Sequence, residues 1–109
     1  MKRYEMIKNK DYFSHIIKNG KYTKDNCFVI YFVSNDNNTY PHFGLALKKS
    51  LGKAVVRNNV KRKVRAIIDK NRKLFKNSED YIIMIRKDCI TASFDQLDNS
   101  INKLLKGIK

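Results

Sequence analysis

Acidic residues are scarce: there are ten, against 24 lysines and arginines, which leaves a formal net charge of +14 over 109 residues. Between Asp36 and Asp69 there is none at all. Such an imbalance exceeds what solubility requires and attracts polyanions, whether nucleic acid, an anionic membrane surface or an acidic protein. Cysteine is equally sparse. Cys27 and Cys89 stand alone, without the close pairing of a zinc site, and reduced thiols in a cytoplasmic protein are the expectation. His15 and His42 are isolated too, which makes them poor metal ligands or general bases. Long apolar runs are missing. The stretch from Cys27 to Val33 is too short to cross a bilayer, and no apolar segment follows the basic start MKRYEMIKNK as a secretory signal would require. The acids that do occur, Asp11, Asp25 and Asp36 among them, are scattered, so no carboxylate cluster for a two-metal centre is visible.

What is present suits one folded domain over residues 1–109. Hydrophobic residues make up 42% of the chain, with six tyrosines and six phenylalanines. A chain of this size buries roughly 65% of its unfolded surface around one core. In NKDYFSHIIKNG, Phe13, Ile16 and Ile17 recur at helical spacing and Gly20 is a natural stop. CFVIYFV is apolar on both faces and reads as a strand, with Tyr31 facing away from Phe28, Ile30 and Phe32. SNDNNTYP reads as a loop with no driving force to pack. HFGLALKK alternates: Phe43, Leu45 and Leu47 share one face, while Gly44, Ala46 and Lys48 share the other, where the small residues leave room for close approach to the backbone. YIIMIR at 81–86 is a further strand, and a short one is possible around Lys21 to Lys24. The tail carries Phe94, Leu97, Ile101, Leu104 and Leu105 on one helical face, opened by a Ser93–Gln96 capping box and closed by Gly107. The order is α, β, β, α, β, α, with no repeat.

The segment KKSLGKAVVRNNVKRKVR, residues 48–65, contains no carboxylate. Beyond Gly52 neither glycine nor proline interrupts it, and Val56, Val60, Val64, Ile67, Leu74 and Phe75 fit one stripe, which predicts a single helix from about Ala54 to Phe75. At the helical period Arg57, Lys61 and Arg65 follow one flank of the valines. Asn58, Lys61, Arg62 and Arg65 converge at i, i+3, i+4 and i+7. The like charges repel with no acid to offset them, whereas an ordinary solvated face mixes both signs. This is a face built for phosphate. Before it, KKSLGK can turn tightly and bring Lys49 and Lys53 to the positive end of the helix. It is not a Walker A loop, because the first glycine and the Lys-Ser/Thr pair are missing.

With these elements in place, the sequence resembles the protein subunit of bacterial ribonuclease P over nearly its whole length. GKAVVRNNVKR is similar to the family's Gly-x-Ala-Val-x-Arg-Asn-Arg-x-Lys-Arg motif, FGLALKKSLG to the strand before it and DYIIMIRK to the last strand. Two positions depart: Asn59 stands where the motif has its second arginine, and Ser50 where a lysine is frequent. The resemblance implies an α+β fold, a single-domain α/β sandwich with an approximately four-stranded, mostly antiparallel sheet and three helices. It also implies a left-handed β-α-β crossover, as in the second domain of a small-subunit ribosomal protein. Chain physics alone would favour the right-handed crossover.

The resemblance further implies an endoribonuclease subunit without catalytic residues of its own. The RNA subunit would cleave the 5′ leader from precursor tRNA with bound Mg2+, and the protein would assist. Lys49, Lys53, Arg57, Asn58, Lys61, Arg62 and Arg65 would contact the catalytic RNA, neutralise phosphates and help it hold magnesium. Phe13, Ile17, Tyr31 and Lys48 would belong to a cleft for the single-stranded leader, with Gly44 and Ala46 at its floor and aromatic rings stacking on unpaired bases. Ile17 replaces an aromatic residue common in the family. Phe13 and Ile17 are also at ordinary core spacing, and for Ile17 core packing is at least an equal reading. Tyr31 could fill a core with its hydroxyl at the rim, and it favours the cleft because its face is opposite Phe28, Ile30 and Phe32. The expected partners are the catalytic RNA and precursor tRNA, with no membrane and no obligate protein partner. A general RNA-binding or ribosome-associated protein is the alternative. It would share the basic helix without needing the cleft.

Overall fold

The structure, a computed structural model, describes residues 5–107. Helix α1 (Lys10–Asn19) leads into strands β1 (Lys21–Lys24), β2 (Phe28–Ser34) and β3 (His42–Leu47). Helix α2 (Ala54–Lys70), strand β4 (Glu79–Ile85), the single turn α3 (Asp88–Thr91) and helix α4 (Phe94–Lys106) follow, with 3-10 turns at Lys49–Leu51 and Arg72–Leu74. The four strands form one sheet in the order β1-β2-β4-β3. β2 runs antiparallel to both β1 and β4, and β3 runs parallel to β4. A parallel pair cannot be joined by a hairpin, and α2 is the crossover that links β3 to β4. The mixed, mostly antiparallel α+β sheet matches the expectation.

Period-two alternation gives the sheet two unequal faces. On one, Phe28, Ile30, Phe43, Ile83 and Ile85 meet Val60, Val64, Ile67 and Ile68 of α2 and Leu97, Ile101, Leu104 and Leu105 of α4. Tyr81 lies opposite Phe32 and beside Phe43 in the register, and its ring stacks on Phe43 at 5.9 Å between centroids. Phe75 closes this cluster edge-on, 4.9 Å from Phe43. The other face carries Val29, Tyr31, Gly44, Ala46, Ile82 and Met84. Helix α1 covers only part of it, through Ile16 and Phe13. The Asn9 side chain starts α1 by accepting from the Asp11 and Tyr12 amides, and the Ser93–Gln96 capping box starts α4 as expected.

The basic helix is shorter than its stripe predicts. It stops at Lys70, and Leu74, placed on the stripe by periodicity, is 40% exposed. Asn71 leaves the helical conformation. Its side-chain amide donates to the Ile67 carbonyl at 2.9 Å and to Asp98 of α4 at 2.7 Å, while Lys70 donates to the same carboxylate at 2.7 Å. Phe75 still reaches the core, from beyond the helix end. At the β3 edge the segment before α1 adds a bridge between Met6 and Phe43, so the outer edge of that strand is partly paired. No helix among the described residues is long and apolar enough to cross a membrane.

Candidate nucleic-acid interfaces

The first interface is the solvent face of α2 and the turn before it. Gly52 ends the 3-10 turn at φ 151°, a conformation that side chains rarely adopt. The Arg57 guanidinium donates to the Gly52 carbonyl at 3.1 Å and braces this turn against the helix. Lys53 is the N-cap residue, no side chain caps the first turn, and no acid sits in it. The amides at the positive end of the helix dipole are thus open to an anion. Lys49, Lys53, Asn58, Arg62 and Arg65 are exposed, while Arg57 and Lys61 are half-exposed. Among the described residues none of Lys49, Lys53, Lys61, Arg62 and Arg65 pairs with a carboxylate. Val55 is 71% exposed in the midst of this charge, an apolar contact point that periodicity alone did not single out.

The second is a groove of about 690 Å³ on the part of the sheet that α1 leaves uncovered. Its floor is Val29, Tyr31 and Met84, Ile17 and Lys18 form the α1 wall, and Tyr22 stands on β1. Lys18, Lys24, Lys48, Arg86 and Lys87 surround it, and among the described residues no carboxylate lines it. The structure therefore brings Ile17, Tyr31 and Lys48 together. Phe13 lies apart, half-exposed over Gly44, and it is the group that exploits the small residue there. Tyr22, Met84, Arg86 and Lys87 were missed. The signal for Tyr22 existed: KYTK pairs with β2 so that Tyr22 falls directly opposite Tyr31, but only the register reveals it.

A third feature holds α1 over the sheet. The Asp80 carboxylate is 1% exposed and accepts from the Tyr12 hydroxyl (2.5 Å), the amides of Asn35 (3.0 Å) and Asn38 (2.7 Å), and the His42 backbone (3.2 Å). The His42 Nδ1 lies 2.9 Å from the same group. Burial on its own would raise the Asp80 pKa, but the bonds from Tyr12, Asn35, Asn38 and His42 outweigh it and hold the carboxyl below its usual value. Burial and the adjacent carboxylate push the Tyr12 phenol up to about 12. SNDNNTYP is thus anchored rather than free. Asp25 is similarly structural: it accepts from the Cys27 and Phe28 amides at 2.8 and 2.9 Å and from the Ser100 hydroxyl. Cys89 is buried and Cys27 half-buried, both as free thiols. Among the described residues no group of three or more His, Cys, Asp or Glu could hold a metal ion.

A mixed sheet that carries a cationic helix face and a separate cation-rimmed groove fits an RNA-binding protein of a ribonucleoprotein. The family model for ribonuclease P matches residues 1–109, and the chain belongs to that family. The ribonuclease P protein component of Mycoplasma mycoides subsp. mycoides is 39% identical over 110 residues, covering 100% of both chains. That of Bacillus cereus is 31% identical over 106 residues, covering 97% of this chain and 92% of the relative. The Staphylococcus aureus RNase P protein superimposes with a TM-score of 0.86 at 28% identity, over 96% of this chain and 95% of that one. The Thermotoga maritima protein gives 0.85 at 29%, over 96% and 98%. As a ribonuclease P component the chain is part of an endoribonuclease of tRNA processing.

Proposed function

We propose that this chain assists a catalytic RNA in removing the 5′ leader of precursor tRNA, and that it divides the work between its two cationic surfaces. The exposed face of α2, from Lys49 and Lys53 to Asn58, Lys61, Arg62 and Arg65, binds the catalytic RNA through its phosphates. The groove receives the single-stranded leader. Lys48 joins them, since it lines the groove and immediately precedes Lys49 at the approach to α2. The observation that carries this reading is the groove lining: five cations around a floor with an aromatic ring, and no carboxylate among the described residues. Such a lining fits an unpaired polynucleotide, with cations tracking the backbone and the ring accepting a base of any identity.

Cleavage is assigned to the RNA subunit with its Mg2+. On this reading the magnesium sits on RNA phosphates. The protein's contribution to magnesium is indirect. Cations on α2 lower the repulsion between RNA strands and let the folded RNA retain its ions at lower concentration.

The test is cleavage of precursor tRNA by a bacterial ribonuclease P RNA at low magnesium, with and without the chain. Stimulation that falls when Asn58, Arg62 and Arg65 become alanine is expected. Tight, salt-sensitive RNA binding without stimulation would leave only a general RNA-binding protein.

A further inference from the structure

At the β1 end of the groove Tyr22 is 58% exposed, the most exposed tyrosine or phenylalanine among the described residues. It sits directly opposite Tyr31 across the antiparallel pair, with ring centroids 5.9 Å apart and planes at 49°. The tilt and spacing leave no slot between the rings for a base, so each offers only its outer face. Lys24 projects from the same side of β1, its ammonium 6.0 Å from the Tyr22 centroid. An edge-strand tyrosine beside a lysine is an ordinary cross-strand pair. Two features exceed that reading: the ring gives up most of its burial, and both side chains line the cationic groove rather than the outer rim of the molecule. Across the groove, Ile17 offers an aliphatic wall and no π face.

The sheet order gives the groove a direction. Lys48 follows β3 at one edge of the sheet and Tyr22 lies on β1 at the other, with β4 and β2 between them. That is at least three strand spacings, roughly 14 Å. The Lys48 end adjoins the α2 surface assigned above to the catalytic RNA, and on that assignment it is taken as the end nearer the cleavage point.

We propose that Tyr22 is a second, distal base-stacking platform, which takes a leader nucleotide several positions upstream of the one held near Lys48, while Lys24 meets the adjoining phosphate. This rests on the leader-groove reading. Its consequence is specific: the contribution of Tyr22 depends on leader length, and a merely structural tyrosine has no such dependence.

The experiment measures affinity of the reconstituted holoenzyme for precursor tRNAs whose leaders are graded in length from a single nucleotide upward. The parent chain is compared with Tyr22→Ala, Tyr22→Phe, Tyr31→Ala and Lys48→Ala. The expected result is a loss of about five- to tenfold for Tyr22→Ala, confined to leaders long enough to reach β1, with Tyr22→Phe like the parent. Losses for Lys48→Ala begin at shorter leaders. If Tyr22→Ala matches the parent at every length, or weakens all lengths equally, while Tyr31→Ala and Lys48→Ala remain leader-dependent, the Tyr22 assignment is overturned and the groove reading stands. If no variant shows any leader dependence, the groove reading itself fails and takes the Tyr22 assignment with it.

Discussion

Phe13 lies against Gly44: a β-carbon at Gly44 would come within 2.6 Å of the Phe13 ring and equally close to the Ile82 side chain. The absence of a side chain on β3 thus fixes how near α1 can approach the sheet. Gly44→Ala is expected to push α1 outward, costing about 1–3 kcal/mol of stability as overpacking. Because α1 also carries Ile17 and Lys18 of the groove wall, leader affinity should fall with it. Urea unfolding and holoenzyme binding of leader-bearing and leaderless substrates check both halves, and an Ala variant as stable as the parent would contradict the packing argument.

Asp80 ties α1, the loop after β2 and β3 to β4. Its pKa is depressed in the folded state, so its stabilising contribution is complete above the unfolded value near 3.9 and is lost as the pH falls through the lower folded value. Stability should therefore drop below about pH 4. Asp80→Asn should cost about 2–4 kcal/mol at neutral pH, because a buried hydrogen-bonded carboxylate is removed from its donors. The variant should also show a shallower acid slope. Thermal melts across pH 3 to 7 measure this, and parallel pH profiles for the two proteins would exclude the assignment.

On α2, Arg62→Ala and Arg65→Ala should leave stability nearly unchanged, since both side chains are exposed and unpaired among the described residues. Each should weaken binding to the catalytic RNA and reduce the slope of log affinity against log salt by roughly 0.7–0.9. Titrations at several salt concentrations give the slope directly. An affinity loss with an unchanged slope would point to lost shape rather than lost phosphate contact.

The charge that binds RNA also opposes folding when no anion is present. Sulfate or phosphate is expected to raise the melting temperature and the helical circular dichroism of the free chain. The effect should shrink when Lys49, Lys53, Arg62 and Arg65 are all replaced by neutral residues. No response to either anion would sink the idea.

Local rules reached some of these features and stopped short of others. The Ser93–Gln96 box, the alternation of β3 and the outward turn of Tyr31 were legible, because each depends on neighbours within a few residues. The end of α2 was not. Asn71 is a residue type that can end a helix, but the apolar stripe runs on through Leu74 and Phe75, and the Asp98 carboxylate that holds Asn71 lies 27 residues away. Nor was the Asp80 hub, whose donors lie between 38 and 68 residues away in the chain. Tyr22 falls between the two cases: its strand was foreseeable, and its partner was not. Periodicity supplied the basic helix, but the floor of the groove comes from two strands, β2 and β4, whose adjacency only the folded sheet displays.

The alternation along β2 and β4 separates the packing side of the sheet from the groove side. Ile30 and Ile83 point to one side of the sheet, Tyr31 and Met84 to the other. A change at the second pair alters what the groove accepts and leaves the packing of the first untouched. On the proposed reading, leader preference could be retuned one side chain at a time without rebuilding the core.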